Sequence, residues 1–425
     1  MTTRGAAAVT AALFTSIALA ACGSSAIGGR PAHRPISVIY VAGDPQGPWA
    51  KRIEGLTDGV KLAIAQRNGL VGPRAISVAV VPTVQRDGNL VSAGIGAGRI
   101  IRDSRALAVL GVYNAPELGL AAPQFNGGQL SLLQFGSGMV GLTAPEAPGE
   151  PDRYQPSGAN YALRGVEPDT LLGEHAASIG ALHGAQVVPI TTTYRASLAK
   201  AAVGRAKAAV ELRQAAIAQN EKKGTDNPVP STSPALTNPS SEIPDAERIA
   251  ARIAEAIGGH VVDAAKVDRS KPVVVVIDPT ETNPTGDAAA VLSKVRAAGL
   301  AVDGADREFD PAVLGKGRSG APTYELRRDL ASDADAVDLQ IRAKEQQLFG
   351  RDRGDAVIAG YRAAERILSL AARQPGKTID RAAFATALAK ASPSDPDLPS
   401  NADDDVTLGH TELFELRGGR WIRRR

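Results

Sequence analysis

The chain has 425 residues, more than one ordinary core holds, and about 100–200 residues per domain predicts two or three domains. Hydrophobic residues make up 44% and charged residues 22%, which argues against wholesale disorder and against a polytopic membrane protein. The 48 basic and 45 acidic residues are interspersed, so we expect no nucleic-acid partner. A single cysteine excludes an internal disulfide and a thiolate zinc cluster, and we expect no metal site.

The first 21 residues are typical of a lipoprotein signal peptide. Arg4 gives a positive start, and the apolar run Ala6–Ala21, at roughly 16 residues, is shorter than the about 20 that span a membrane. Leu19-Ala20-Ala21-Cys22 resembles the bacterial lipobox, whose cysteine is acylated. The alternative is an ordinary cleaved signal with an incidental cysteine. We expect a lipid anchor at Cys22 that holds the protein on the extracytoplasmic face of the cell membrane.

Strand and helix patterns alternate after the signal segment. The β-branched run Ile36–Ala42 predicts a buried strand, and Gly55–Asn68 has apolar residues at helical spacing. The pattern continues with strand Ile76–Val81, helix Val91–Arg102, strand Ala106–Gly111, helix Leu118–Asn126 and strand Leu130–Gln134. This order predicts a parallel sheet covered by helices.

A second alternation begins after the Pro- and Gly-rich loop Ala144–Gly158. It comprises helix Thr170–His183, strand Gln186–Thr191, helices Leu198–Asn220 and Asp245–Ile257, strand Pro272–Ile277 and helix Asp287–Ala298. Residues 222–244 are rich in Pro, Ser, Thr and Asn and predict a disordered insertion, with a binding loop as the alternative. A helical region follows at Asp335–Gln374, and Thr411–Trp421 predicts a hairpin that turns at Gly418-Gly419.

Short motifs along the chain carry a resemblance to a known family. They are Gly59-Val60-Lys61-Leu62-Ala63 with Asn68-Gly69, Val109-Leu110-Gly111, Gly136-Ser137, Arg164 with Asp169 and Gly173, Gly360-Tyr361-Arg362-Ala363 and Gly419-Arg420-Trp421. In this order they resemble the type I periplasmic binding proteins, in particular the branched-chain amino acid receptor lipoproteins of ABC importers. The resemblance implies an α/β fold of two Rossmann-like lobes with parallel central sheets, joined by a hinge.

The resemblance also implies a domain order. A signal peptide (1–21) and a tether (22–34) precede the first segment of lobe one (35–162). Lobe two (163–321) contains the insertion 222–244, and the chain then returns to lobe one (322–390) before a C-terminal crossing and hairpin (391–425).

Two strand-to-helix loops of lobe one are candidate ligand contacts. Tyr113-Asn114-Ala115 lies at a strand end before a helix, where free N–H groups and the helix dipole favour an anion. The alternative is that Asn114 only caps that helix. Ser137 and Gly138 follow the next strand and offer a hydroxyl and an open backbone, or form a plain turn.

Three further positions could complete the pocket. Trp49, on the first strand-to-helix loop, could form a pocket wall or a buried anchor. Tyr194 could close the site from lobe two or pack against the long helix. Asp278, Thr280 and Glu281 could accept a ligand ammonium, although we favour solvated loop positions for them.

Motifs of enzymes do not account for the chain. Gly94–Gly98 lies inside a helical pattern and not after a strand, so it is no phosphate-binding loop. No G-x-S-x-G, H-E-x-x-H or P-loop occurs, and we expect neither catalytic residues nor a cofactor. We expect a solute-binding lipoprotein that captures a small polar, amino-acid-like ligand and partners the permease subunits of an ABC importer. The alternative is an envelope sensor or regulatory module without a transport role.

The anchor makes a testable prediction. Cys22→Ser should release or mislocalise the protein, because no other segment of the sequence is expected to hold it at the membrane. Metabolic labelling with palmitate measures the acylation directly. Label that persists in the variant would contradict the assignment of Cys22.

Overall fold

The computed structural model describes residues 34–83, 91–191, 243–278, 284–303, 310–314, 322–328, 336–374, 376, 378–390 and 411–424. The predictions for the signal peptide, Cys22, Tyr194, the helix Leu198–Asn220 and most of the insertion lie outside these residues. Among the residues that are described, no helix is both long and apolar enough to cross a membrane.

The α-helices of this part of the chain are α1 Ala50–Gln66, α2 Val91–Arg102, α3 Ala115–Gly127, α4 Asp169–Ala177, α5 Asp245–Ala256, α6 Pro284–Leu292, α7 Pro311–Leu314, α8 Ala336–Phe349, α9 Asp355–Ala372 and α10 Arg381–Ala389. The strands are β1 Ile36–Gly43, β2 Leu70–Val71, β3 Arg74–Pro82, β4 Ala106–Val112, β5 Leu132–Gln134, β6 Ala162–Arg164, β7 Gln186–Ile190, β8 His260–Val261, β9 Val273–Ile277, β10 Gly299–Asp303, β11 Thr323–Arg328, β12 Thr411–Arg417 and β13 Arg420–Arg423.

The first sheet has the strand order β2-β3-β1-β4-β5-β6. All its neighbouring strands run parallel except β2, which pairs antiparallel with β3. In β1, Ile39 and Val41 face one apolar core, while Val38 and Tyr40 face another. Because both faces are covered, β1 reads as a continuous apolar run without alternation.

The second sheet has the order β13-β12-β11-β10-β9-β7-β8. Its strands are parallel from β11 through β8, and the C-terminal hairpin β12–β13 adds an antiparallel edge. On β9, Val274 and Val276 pack with α5, and Val273 and Val275 pack with α6. The prediction of two parallel-dominated sheets covered by helices is confirmed.

Several segments differ from the sequence-based assignment. Helix α4 ends at Ala177 and not at His183, because the backbone leaves the helical region at Ile179 (φ −91°, ψ 86°) and Gly180–Leu182 form a separate 3₁₀ turn. Helix α6 begins earlier than predicted, at Pro284, a residue suited to a first helical turn. The strand β11 (TYELRR) escaped prediction because its charged residues mask the apolar pattern.

The strand β11 and the C-terminal hairpin bear on the predicted domain ranges. β11 falls in the range 322–390 assigned to lobe one, but it pairs with β10 and β12 of the second sheet. The hairpin of the range 391–425 also belongs to the second sheet. Among the described residues of the returning segment, the helices α8, α9 and α10 accompany the first sheet: Ile367 and Phe384 lie in its core with Ile39, and Ile341 of α8 packs with Leu62 of α1.

The return to the first sheet depends on a close approach of α1 and α9. A Cβ built on Gly59 would lie 2.2 Å from the carbonyl oxygen of Val357, and one on Gly360 would lie 2.3 Å from that of Leu56. Each glycine therefore faces the backbone of the other helix with no room for a side chain. Both positions belong to motifs that carried the family resemblance.

We expect Gly360→Ala to lower the free energy of unfolding by about 1–3 kcal/mol, because the added methyl group must push two backbones apart. Gly180→Ala is the matched control, since nothing lies within 4 Å of a Cβ at that position. Urea unfolding of both variants measures the difference. Equal stability of the two variants would contradict the tight helix contact.

Candidate ligand-binding site

The carboxyl edge of the first sheet contains a switch in strand order. β1 lies between β3 and β4, so the chain first crosses from β1 to one side of the sheet and then returns past β1 to the other side. In open α/β sheets such a point leaves a crevice in which ligands bind. The segments that follow β1, β4 and β5 leave the sheet at this edge. They contain Trp49, Tyr113–Ala115 and Ser137-Gly138, respectively.

Two of the residues predicted to contact ligand serve the fold. The Asn114 side chain accepts a hydrogen bond from the backbone N–H of Glu117 (3.0 Å), and the Glu117 carboxylate accepts one from the N–H of Asn114 (3.1 Å). This capping box is the alternative role foreseen for Asn114. Tyr113 lies fully buried in the core under α3, and burial, with the charge of Glu117, raises the pKa of its phenol.

Trp49 and Gly138 also have structural roles. Trp49 is only 6% exposed and belongs to the core that contains Ile53 and Val112, as expected of a buried anchor. A Cβ on Gly138 would lie 2.5 Å from the Asp169 carboxylate, and the carbonyl of Gly138 accepts a hydrogen bond from the Asp169 N–H (2.9 Å). Gly138 therefore admits Asp169 at the point where the chain enters α4.

The two remaining candidates of the first sheet, Ala115 and Ser137, converge on one carboxylate. The backbone N–H of Ala115 donates to Oδ2 of Asp245 (3.1 Å), and the Ser137 hydroxyl donates to Oδ1 of the same group (2.8 Å). Ala115 is the first residue of α3, where the helix N-terminus favours negative charge. The predicted anion-binding edge thus holds an anion, and that anion is a side chain of the protein itself.

Asp245 is part of a buried charge cluster formed by Asp169, Asp245, Arg248 and Arg328. One guanidinium nitrogen of Arg248, Nη2, lies 2.5 Å from Oδ2 of Asp169 and 2.5 Å from Oδ1 of Asp245. Arg328 contacts the other oxygen of Asp169 at 2.7 Å. Each of the four residues is at most 5% exposed, so two cations and two anions neutralise each other away from water.

The pKa values follow from this geometry. Burial would raise the pKa of Asp169, but the charges and hydrogen bonds of Arg248 and Arg328 outweigh it and hold the pKa below its usual value. Burial likewise opposes the charge of Arg248, and the carboxylates of Asp169 and Asp245 outweigh that effect and raise its pKa. Asp169 and Arg248 therefore interact most favourably in their charged forms.

Sequence reasoning missed Asp245, Arg248 and Arg328. A usable signal was present, since Asp245 begins a predicted helix and Arg248 follows three residues later, which places both on one helix face. Without the fold, such a pair reads as a solvated helix end. Arg328 gave no local signal, because its strand was not recognised.

The second-lobe candidates are only partly described. Tyr194, Thr280 and Glu281 lie outside the described residues. Asp278, which we favoured as solvated, is 1% exposed and follows β9 directly, so that interpretation is wrong. In the part of the chain that is described, no group of three or more His, Cys, Asp or Glu side chains is arranged to hold a metal ion.

Comparisons with known proteins identify the fold. The chain matches no protein-family model and no curated protein sequence. Solved structures are similar over almost the whole chain. The leucine-binding protein LivK of Thermotoga maritima has a TM-score of 0.55 and 13% identity, over 92% of this chain and 98% of that chain.

Two further structures show the range of ligands on this fold. The branched-chain amino acid binding protein LivJ of Streptococcus pneumoniae, solved with isoleucine, has a TM-score of 0.57 and 12% identity, over 92% of this chain and 100% of that one. A solute-binding protein of an R. palustris ABC transporter, solved with benzoate, has a TM-score of 0.56 and 13% identity, over 91% and 94% of the two chains. The chain therefore has the type I periplasmic binding protein fold that the sequence motifs implied.

The charge cluster generates a prediction about acid stability. The pKa of Asp169 in the folded protein lies below its unfolded value of about 4. The stabilisation of the fold by the Asp169 carboxylate is therefore fully present above about pH 4 and is lost as the pH falls through the folded pKa. Asp169→Asn should lower the free energy of unfolding at neutral pH by about 3–5 kcal/mol, because Arg248 and Arg328 lose a buried partner.

Urea unfolding between pH 7 and pH 2 measures this effect. The variant should also lose stability less steeply than the wild type below pH 4, since it lacks the titrating group. Asp152→Asn, at an exposed position, is the control and should follow the wild-type curve. A variant curve parallel to that of the wild type in acid would contradict the assignment.

Proposed function

We propose that the chain is an extracytoplasmic solute-binding protein that captures a small carboxylate-bearing ligand for an ABC importer. The observation that carries the proposal is the convergence of the Ala115 N–H and the Ser137 hydroxyl on a single carboxylate. Both donors follow neighbouring strands, β4 and β5, beside the switch in strand order, the usual ligand position in such sheets. An edge that binds the carboxylate of Asp245 has the donors to bind that of a solute.

The solved structures with the same fold support this ligand class. The ligands named for three of them are Leu, isoleucine and benzoate, which differ in size and aromaticity but share a carboxylate. All three proteins are described as ABC transporter or branched-chain amino acid binding components. This favours solute capture, with permease subunits as partners, over the sensor alternative.

In this proposal the two sheets contribute different parts of the binding site. The first sheet supplies the carboxylate donors, and Tyr194, which follows β7 of the second sheet, closes over the rest of the solute. Closure of two lobes around a ligand would sequester it and form the surface that a permease recognises. Acylation at Cys22 would keep the protein at the extracytoplasmic face of the membrane, where this capture takes place.

Calorimetry of the purified protein with a panel of amino acids and aromatic acids tests the function. Each acid that binds should lose its affinity when it is replaced by its carboxamide, because the edge recognises the charged carboxylate. Equal binding of acid and amide would contradict the carboxylate site. Failure of every solute in the panel would count against the proposed capture.

The role of Tyr194 is tested with the same acids. Tyr194→Ala should weaken binding by about 1–3 kcal/mol through loss of an aromatic contact, while Tyr194→Phe should retain most of the affinity. Melting curves establish that both variants are folded. An unchanged affinity in Tyr194→Ala would place the solute away from this residue.

A further inference from the structure

Asp245 has an unusual position for a residue of the second sheet. It begins α5, whose Ile249 and Ile253 pack in the core of that sheet. Its carboxylate nevertheless accepts hydrogen bonds from Ala115 and Ser137 of the first sheet, and Asp245 is 4% exposed. The Asp245 carboxylate therefore bridges the two sheets. It accepts hydrogen bonds from donors that lie more than 100 positions away in the sequence.

The environment of this carboxylate is that of a bound ligand. One oxygen receives a helix N-terminal amide, and the other receives a hydroxyl and lies against the guanidinium of Arg248. This combination of donors selects for a carboxylate by both charge and shape. We infer that Asp245 is a built-in competitor, which fills the solute carboxylate site and must leave before a solute can bind. The inference rests on the proposed function and adds its regulation.

The balance of charges in the cluster explains why Asp245 holds the site against a solute. With Asp245 in place the four-residue charge cluster is neutral, whereas without it Arg248 and Arg328 contact only the carboxylate of Asp169 within the cluster. The charge of Glu146 also acts on Arg248, but that carboxylate is paired with Arg252. The Nη1 atom of Arg248 is buried and has no hydrogen-bond partner among the described residues, so the guanidinium has capacity for a further acceptor. An emptied site would thus be short of one negative charge, and a free carboxylate would supply it.

The arrangement has a consequence for affinity. A solute binds only to the fraction of molecules in which the site is free, and its observed dissociation constant rises in inverse proportion to that fraction. Because Asp245 is fixed to the second sheet through α5, movement of that sheet away from the first would withdraw the carboxylate and open the site. Solute entry and separation of the sheets are therefore coupled at Asp245.

Acetate, the smallest suitable carboxylate probe, tests the inference directly. In Asp245→Ala, acetate should raise the melting temperature by a few degrees in a saturable manner, because it restores the missing anion. Chloride at equal ionic strength should have no such effect, and wild-type protein should not respond to acetate. Adding Ser137→Ala to the variant should weaken the response several-fold, since one donor is lost.

A second arm measures solutes. Asp245→Ala should bind carboxylate solutes at least about tenfold more tightly than the wild type, as expected if the site is free in a tenth or less of wild-type molecules. Asp245→Asn keeps the size of the side chain, provides a second variant should the alanine protein not fold, and should also bind more tightly than the wild type. An alanine variant that responds to acetate no more than the wild type would overturn the inference.

The two arms separate this inference from the proposed function. Binding of solutes with equal affinity by wild type and both variants would support solute capture and overturn the competitor. An acetate response in Asp245→Ala, with no solute bound by any of the proteins, would support the carboxylate site occupied by Asp245 and count against solute capture.

Discussion

The buried charge of Asp169 is the constraint on which the arrangement of the two sheets depends. A fully buried carboxylate is stable in its charged form only with close cationic partners, and here these are Arg248 and Arg328. Asp169 follows the last strand of the first sheet, whereas the two arginines lie on α5 and β11 of the second. Satisfying one charge therefore fixes three chain segments that are far apart in sequence. The missing side chain of Gly138 makes the approach sterically possible.

The same constraint shapes the binding edge. Arg248 is held by Asp169, and it in turn holds Asp245 against Ser137. The Ala115 N–H and the Ser137 hydroxyl are thus satisfied by the protein itself, which avoids the energetic penalty of leaving these two buried donors without an acceptor. Such a site selects carboxylate solutes over other molecules, because an incoming solute must displace the Asp245 carboxylate and match its charge and geometry. Neutral solutes could not balance the arginines that Asp245 leaves behind.

The sequence predicted the fold better than the site, and particular residues show why. Strands such as β1 and β9 are buried on both faces, so their runs of Val and Ile stand out locally. Ala115 and Ser137 could be placed at the sheet edge from strand ends alone, whereas Tyr113 and Trp49 looked equally suitable and proved to be core residues. Asp245 lies 130 positions from Ala115, its partner, and no local periodicity encodes such a pairing. Charged residues near a helix start are usually solvated, whereas here contact with Ala115 and Ser137 of the first sheet buries Asp245.

The packing of α1 against α9 has a consequence for how the molecule folds. Arg67, at the end of α1, pairs with Glu365 of α9, and the two residues are 298 positions apart in the chain. The hydrophobic layer on that face of the first sheet is therefore incomplete until nearly the whole polypeptide has been made. Closing so long a loop costs conformational entropy before the contact repays it, and chains rich in such contacts fold slowly. Until α9 has been synthesised and has packed against it, the apolar face of α1 around Gly59 is exposed. Such an exposed apolar face is suited to recognition by chaperones during that interval.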